Sequence, residues 1–217
     1  MNCNGVKARY HYGMKNDSVQ WSNVTLSHLE DLQQNVTGGR LLKTLEGFSY
    51  KLFDVNFLNK DFYKEIDHEY HDLAKWLVSD ATQMHGLALM YFDSLKFNEP
   101  FYPELMEDYD IQFQEWVLFE SSYQKLVWSG ITRYNEELCA VVKFESLYNP
   151  LEMNSEKVTF KGRSLYWGEY WISLEDKQVE YSIMIEDVIF KLRTDAMANP
   201  QLLDLQREIV FKKIHNF

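Results

Sequence analysis

The sequence predicts an α+β fold: an antiparallel β-meander in the C-terminal half, packed with amphipathic helices from the N-terminal half and from the C-terminus. Three observations predict it: a helical apolar period in the first half, short alternating apolar runs from residue 111 onward, and a helix-like closing segment. We expect one domain over residues 1–217, helix-rich at 20–98, with the meander at 111–193 and a C-terminal helix at 199–215. A half-barrel is one form that the sheet could take.

The N-terminal half begins with a predicted strand at Val6–Tyr12 and a helix from Leu26 to Val36, which stops at two glycines. The clearest helix begins near Asp61 and ends before the loop at residues 98–103. Gly86 weighs against one unbroken helix. The residues that recur at helical spacing on its core face are Phe62, Ile66, Tyr70, Leu73 and Leu77.

The predicted meander consists of apolar runs at residues 126–135, 138–144, 157–162, 170–175 and 178–185, separated by turn residues. A turn at Asn135 and a hairpin at residues 175–177 join neighbouring runs. Side chains alternate across a strand, so one set faces the core and the other faces water. The predicted inward residues are Leu138, Ala140, Val142, Phe144, Tyr170, Ile172, Leu174, Val179, Tyr181, Ile183 and Ile185. Those predicted to face water are Glu180, Ser182 and Glu186.

The closing segment carries the signals of a helix start. Asn199 suits an N-cap and Pro200 suits the first turn. The apolar residues that follow at helical spacing are Leu202, Leu203, Ile209, Val210 and Ile214.

Composition excludes several classes of protein. The formal net charge of -11 opposes nucleic-acid binding, because phosphates would be repelled and no basic run is present. No stretch is long and apolar enough to span a bilayer or to act as a signal peptide, so we expect a soluble chain that does not cross a membrane. The two cysteines, Cys3 and Cys139, exclude a disulfide framework.

The chemistry-bearing residues are few. His68 and His71 stand one helical turn apart and could bind a metal ion if a third ligand such as His85 joined them. A solvated polar face of the helix is the favoured interpretation of these two residues. Cys139 lies among apolar strand residues and is expected in the core. No nucleophile or phosphate-binding motif occurs, so we expect no catalytic residues and no cofactor, and a binding protein is favoured over an enzyme. The alternative, an enzyme, rests on His68, His71 and an unidentified third ligand.

One stretch of the predicted meander, residues 125–187, carries a recognisable set of residues: Gly130, Thr132, Tyr134, Asn135, Val141, Val142, Phe144, Tyr170, Ile172, Leu174 and Asp176. With these residues the stretch resembles secreted and outer-membrane-associated Bacteroidetes proteins of the GLPGLI and carboxypeptidase-regulatory-like groups. Glu136 departs from the pattern, which has Gly in the turn. The resemblance implies a sheet like the half-barrel of periplasmic lipoprotein carriers, a concave surface for an apolar ligand or partner segment, and a cell-envelope location.

Two functions follow. The first is a non-enzymatic binding protein of the cell envelope, in which Trp167, Tyr170 and Trp171 line the binding face of the sheet. The second is a cytosolic acidic immunity or inhibitor protein that neutralises a basic enzyme, which the charge of -11 favours. The partner is therefore a protein or an apolar ligand. We expect a periplasmic or cell-envelope location if a leader was removed, and a cytoplasmic one otherwise.

Overall fold

The computed structural model describes residues 4–13, 18–28, 39–51, 56, 59–103, 110–114, 117–120, 124–155 and 158–213. Within them the fold is mainly β, with two antiparallel sheets and one main helix. The predicted antiparallel sheet is therefore confirmed. The described residues contain less helix than the α+β prediction requires. The chain divides into two compact units, Met1–Thr82 and Gln83–Phe217. The expectation of a single domain stays a prediction.

The first unit contains a four-stranded antiparallel sheet, and its first strand confirms the predicted strand at Val6–Tyr12. Strand β2 is central, since it pairs with the other three strands of this sheet. The four strands are β1 (Asn4–Gly13), β2 (Ser18–His28), β3 (Arg40–Leu41) and β4 (Ser49–Lys51).

Residues 20–28 belong to strand β2 and not to a helix. The prediction of a helix-rich segment over residues 20–98 is therefore wrong at its start, and so is the beginning of the helix predicted at Leu26–Val36. The rest of that predicted helix, residues 29–36, lies outside the described residues. A β-bulge explains why the alternation was missed. Asn23 adopts a left-handed conformation (φ 52°) where the register with β1 shifts, so the buried residues fall at Val19, Trp21 and Val24 rather than at every second position.

The main helix, α1 (His71–Tyr91), begins ten residues later than predicted. Residues 60–63 and 68–70 form separate 3₁₀ turns before it. In the first unit its core face consists of Ala74, Val78 and Ala81, all buried. The helix continues through Gly86, which is itself buried, so the missing side chain suits close packing there. The helix ends before the predicted loop.

The second unit contains an eight-stranded antiparallel sheet that is open, because among the described residues its end strands do not pair with each other. Its C-terminal strands follow one another as the predicted meander, in the order β8-β9-β10-β11-β12. The eight strands are β5 (Pro100–Phe101), β6 (Asp110–Gln114), β7 (Val117–Glu120), β8 (Lys125–Tyr134), β9 (Glu137–Asn154), β10 (Val158–Ser173), β11 (Val179–Thr194) and β12 (Gln201–Lys212).

Both predicted turns of the meander are present. Asn135 and Glu136 have positive φ values of 45° and 70°, as a two-residue hairpin between β8 and β9 requires. Lys177, with φ 61°, closes the hairpin between β10 and β11. Residues 158–162 and 170–173, from two of the predicted runs, belong to a single long strand, β10.

The predicted C-terminal helix at 199–215 is wrong over the described residues 199–213, and residues 214 and 215 lie outside them. Residues 201–212 form strand β12, which pairs with β11 from Tyr181 to Leu192. Asn199 and Pro200 lie in the loop before this strand rather than at a helix start. The position of β12 at the edge of the sheet explains the error. Side chains on both faces of β12 are partly exposed, so its sequence does not need the strict alternation of apolar and polar residues that identifies a strand with one buried face.

The sheet of the second unit has two different faces. Its inner face packs against the end of α1 and the segment that follows, where Met84 and Leu95 join the core. The other core members are Leu126, Val142, Phe144, Tyr166, Tyr170, Ile172, Val179 and Met184. Ala140, Val142 and Phe144 are buried as predicted, whereas Leu138 and Leu174 are exposed.

Candidate functional site

The outer face of the sheet carries a group of apolar side chains that we call the outer aromatic face. Cross-strand register places its members on one side, because Trp167 is opposite Ile185 and Trp171 is opposite Tyr181. Residues directly opposite each other in an antiparallel pair share a face. The outer aromatic face consists of Tyr134, Trp167, Trp171, Tyr181, Ile183 and Ile185.

The end of this face near the hairpins is rigidly packed. The ring centroids of Trp171 and Tyr181 are 4.7 Å apart, and Tyr134 contacts both rings at 5.4 Å and 5.8 Å. The indole Nε1 of Trp171 donates a hydrogen bond of 3.0 Å to Oε1 of Glu169. Burial, together with the nearby Glu169 carboxylate, raises the pKa of Tyr181. These contacts hold the aromatic side chains in fixed orientations.

The other end of the face is open. Trp167 keeps 36% of its surface exposed beside a shallow depression of about 280 Å³. The indole is thus available to a partner in a way that the packed Trp171 is not. The depression is lined by Lys143, Trp167, Gly168, Glu169, Ile183 and Ile185.

Gly168 lines this depression through its backbone, and it also permits a close approach on the inner face, which sequence reasoning missed. A Cβ at this position would come within 2.7 Å of Cζ of Phe144 and 1.9 Å of the carbonyl oxygen of Ile183. Any side chain here would therefore push the neighbouring strand or the core ring away. A glycine inside a strand, between Trp167 and Glu169, is the sequence signal that could have identified a close approach at this point.

The three predicted binding residues do not share a face. Trp167 and Trp171 lie on the outer aromatic face, but Tyr170 is fully buried on the inner face. Its ring stacks on Phe144 with centroids 4.5 Å apart, and its hydroxyl donates to the backbone oxygen of Gln83. Tyr170 is a core residue because successive side chains of a strand point to opposite sides.

Val179 is in the core as predicted, but the predicted inward face of β11 is reversed beyond it. Tyr181, Ile183 and Ile185 lie on the outer face and are half-buried, whereas Glu180, Ser182 and Glu186 are buried on the other side. The physical reason is pairing, since a buried carboxylate is tolerated when a cation and hydrogen bonds satisfy it. Each of the two glutamates has such partners.

Glu180 is paired with Lys213. The ammonium group of Lys213 contacts Oε1 of Glu180 and lies 3.4 Å from Oδ2 of Asp176. Burial lowers the pKa of Lys213, but the hydrogen bonds and charges of Glu180 and Asp176 together outweigh it and the net direction is upward. The pKa of Asp176 is lowered: burial opposes this, and the hydrogen bond from the backbone N–H of Gln178 and the charge of Lys213 prevail.

Glu186 belongs to a polar network that crosses four strands on the inner face. Its Oε1 accepts a hydrogen bond of 2.6 Å from Ser164, and its Oε2 lies 2.7 Å from the guanidinium of Arg207. Asn149 donates to the carbonyl oxygen of Ser164 at 3.1 Å and accepts from the hydroxyl of Ser146 at 2.9 Å. These groups satisfy one another, so the network stabilises the sheet.

The predicted metal ligands His68 and His71 have ring centroids 5.1 Å apart. Nε2 of His71 is 2.8 Å from the carbonyl oxygen of Ile66, a contact that fits a donating N–H. The third candidate, His85, is buried with its ring edge against Phe211 in the second unit. Among the described residues, no group of three or more His, Cys, Asp or Glu side chains could hold a metal ion.

Cys139 is a core residue, as predicted. It is fully buried, and burial together with the charges of Glu180 and Glu137 raises the pKa of its thiol to about 11. The thiolate, which is the nucleophilic form, is therefore scarce at neutral pH.

The chain stands apart from the proteins with which it was compared. Within the described ranges, no helix has both the length and the apolar character needed to cross a membrane. Comparisons with protein-family models, with curated proteins and with solved structures found no match.

Proposed function

We propose that this chain is a non-enzymatic binding protein of the cell envelope, and that its outer aromatic face holds an apolar ligand or an apolar segment of a partner. The observation that carries the proposal is the exposure of Trp167 beside a depression walled by Ile183 and Ile185. The inner face of the same sheet is already filled by the protein's own core at this level. The outer face is the one that remains open to a partner.

The chemistry of the surface favours a ligand with a flat or branched apolar part. An indole combines a large apolar area with a polar edge, and burying an aromatic side chain yields about 1.5–3 kcal/mol. Glu169 and Lys143, which are opposite each other on β10 and β9, stand at the rim and can contact polar groups of the bound molecule. Such an arrangement orients a ligand without reacting with it.

The state of the candidate reactive groups also supports a binding role. The thiol of Cys139 is buried and protonated at neutral pH, and the imidazole of His85 is enclosed in the core. Neither group can reach a substrate on the outer aromatic face.

Titration with 1-anilinonaphthalene-8-sulfonate, an aromatic anion whose fluorescence rises in apolar sites, tests the proposal. We expect saturable binding that weakens about tenfold or more in Trp167→Ala, because the lost burial corresponds to at least about 1.4 kcal/mol. Trp76, exposed on α1 in the first unit, provides a matched control, and Trp76→Ala should bind like the wild type. Equal binding by the two variants would refute the proposed site.

The cell-envelope location is tested separately, by fractionation of the native host and native mass spectrometry of the purified protein. A copurified apolar molecule in the envelope fraction supports the proposal. Recovery from the cytosol, with a basic protein that dissociates as salt is raised, would favour the acidic immunity or inhibitor protein, because charge attraction of that kind is screened by salt.

A further inference from the structure

Strand β12 is an open edge of the eight-stranded sheet. In the part of the chain that the structure describes, it pairs with β11 and with no other strand. The pairing runs without a register shift, and residues 201–212 contain no proline. A strand of 12 residues spans about 40 Å, so a long row of backbone N–H and C=O groups faces outward.

This edge has few of the features that normally prevent pairing with another strand. Leu202, Leu205 and Val210 are exposed by 67%, 45% and 40%. The one charge that points to the inner side, Arg207, is neutralised by Glu186 at 2.7 Å. Edge strands usually avoid association through prolines, bulges, charged side chains or uncompensated inward charges, and of these β12 has only the outer-side charges of Asp204, Glu208 and Lys212. The exposed apolar residues and the regular backbone of β12 favour association instead.

Two copies of β12 can pair antiparallel with Arg207 at the centre: the two Arg207 side chains then lie opposite each other, each neutralised by the Glu186 of its own chain, and apolar residues flank them. This register sets Leu203 opposite Phe211 of the second copy and Leu205 opposite Ile209, all on the inner side. On the outer side, Asp204 lies diagonally across from Lys212, within reach for oppositely charged side chains. We propose that two copies of this chain dimerise by pairing their β12 strands, which joins their sheets into one continuous sheet.

Net charge gives the dimer a distinctive salt dependence. Each chain carries -11, so two copies repel each other at long range. Salt screens this repulsion, with a Debye length of about 10 Å at 0.1 M and about 3 Å at 1 M, while apolar contacts and backbone hydrogen bonds persist. The dimer should therefore strengthen as salt is raised, unlike an assembly held by charge attraction.

Sedimentation velocity on the full chain over a range of concentrations and salt provides the first test. We expect a monomer–dimer equilibrium that shifts toward the dimer in high salt. Leu205→Lys should weaken it at least tenfold, because it places an unpaired charge in the apolar part of the strand pair. Leu147→Lys makes the same change at an exposed position of β9 and should leave the equilibrium unchanged. A monomer at every concentration, or equal effects of the two variants, would overturn the proposal.

Disulfide trapping tests the register and does not depend on Leu205→Lys folding. In a Cys3→Ser background, Gln206→Cys combined with Glu208→Cys places the two thiols opposite each other across the dimer. Gln206→Cys combined with Val210→Cys serves as the control, because in this register residue 206 faces residue 208 of the second copy and residue 210 faces residue 204, so the two cysteines are not opposite each other. We expect covalent dimers on mild oxidation for the first pair and few for the second. The reverse outcome, or no covalent dimer from either pair, would contradict pairing centred on Arg207.

Discussion

Protonation of His85 should weaken the second unit as the pH falls. The imidazole is buried beside Phe211, and desolvation lowers its pKa from 6.5 to about 4. The folded state therefore keeps His85 neutral at a pH where the unfolded chain already binds a proton. Because the unfolded state binds the additional proton, this contribution to stability is complete above pH 6.5 and is lost as the pH falls from 6.5 to about 4.

The size of the effect follows from the difference between the two pKa values. At about 1.4 kcal/mol for each pKa unit, this difference corresponds to about 3 kcal/mol of unfolding free energy. A loss of this size is a large fraction of the stability of a typical domain, which is about 5–15 kcal/mol. Below the folded pKa both states carry the proton, and His85 makes no further difference.

Urea unfolding of the wild type and of His85→Gln at a series of pH values from 7.5 to 4 measures this contribution. The glutamine side chain has a similar size and does not titrate, so other groups contribute equally to both proteins. We expect the wild type to lose about 3 kcal/mol more than the variant over this range. Parallel pH profiles for the two proteins would refute the assignment of a buried, neutral His85.

Two further substitutions test the packing of the second unit, and both are measured by chemical denaturation. Gly168→Ala should cost about 1–3 kcal/mol, because its Cβ would meet Phe144 at 2.7 Å, whereas Gly130→Ala, with no atom within 4 Å of the added Cβ, should be nearly neutral; equal costs would contradict the close approach. Lys213→Met should cost about 3–5 kcal/mol because it leaves the buried Glu180 without its cation. Adding Glu180→Gln should restore most of that loss, and a double variant no more stable than Lys213→Met would show that the pairing is unimportant.

The sequence predicted the meander because its information is local. The turns at Asn135 and Lys177 need only a few residues to form, and the buried run of Ala140, Val142 and Phe144 alternates clearly. The faces of β11 were not predictable in the same way. Glu180 and Glu186 are buried because Lys213 and Arg207, each more than 20 residues further along the chain, neutralise them. Pairing of this kind depends on which strands become neighbours.

Strand β12 illustrates a second limit of sequence reasoning. Its apolar residues Leu202, Leu205 and Ile209 fit helical spacing as well as they fit a strand. What decides the structure is the free backbone edge of β11, which offers hydrogen bonds to the whole segment.

The candidate site was predicted only in part, because the sequence does not show on which face of β10 each aromatic side chain lies. Trp167 and Trp171 lie on the outer aromatic face, whereas Tyr170, one position out of step, is in the core.

Nuclear magnetic resonance of isoleucine methyl groups during titration with 1-anilinonaphthalene-8-sulfonate tests the central claim most directly. If the outer aromatic face is the binding surface, the methyl signals of Ile183 and Ile185 should shift together and saturate with the affinity measured by fluorescence. Ile172, fully buried on the inner face, and Ile131, exposed on β8, should remain unchanged. Shifts at Ile172 or Ile131 with Ile183 and Ile185 unaffected would contradict the claim.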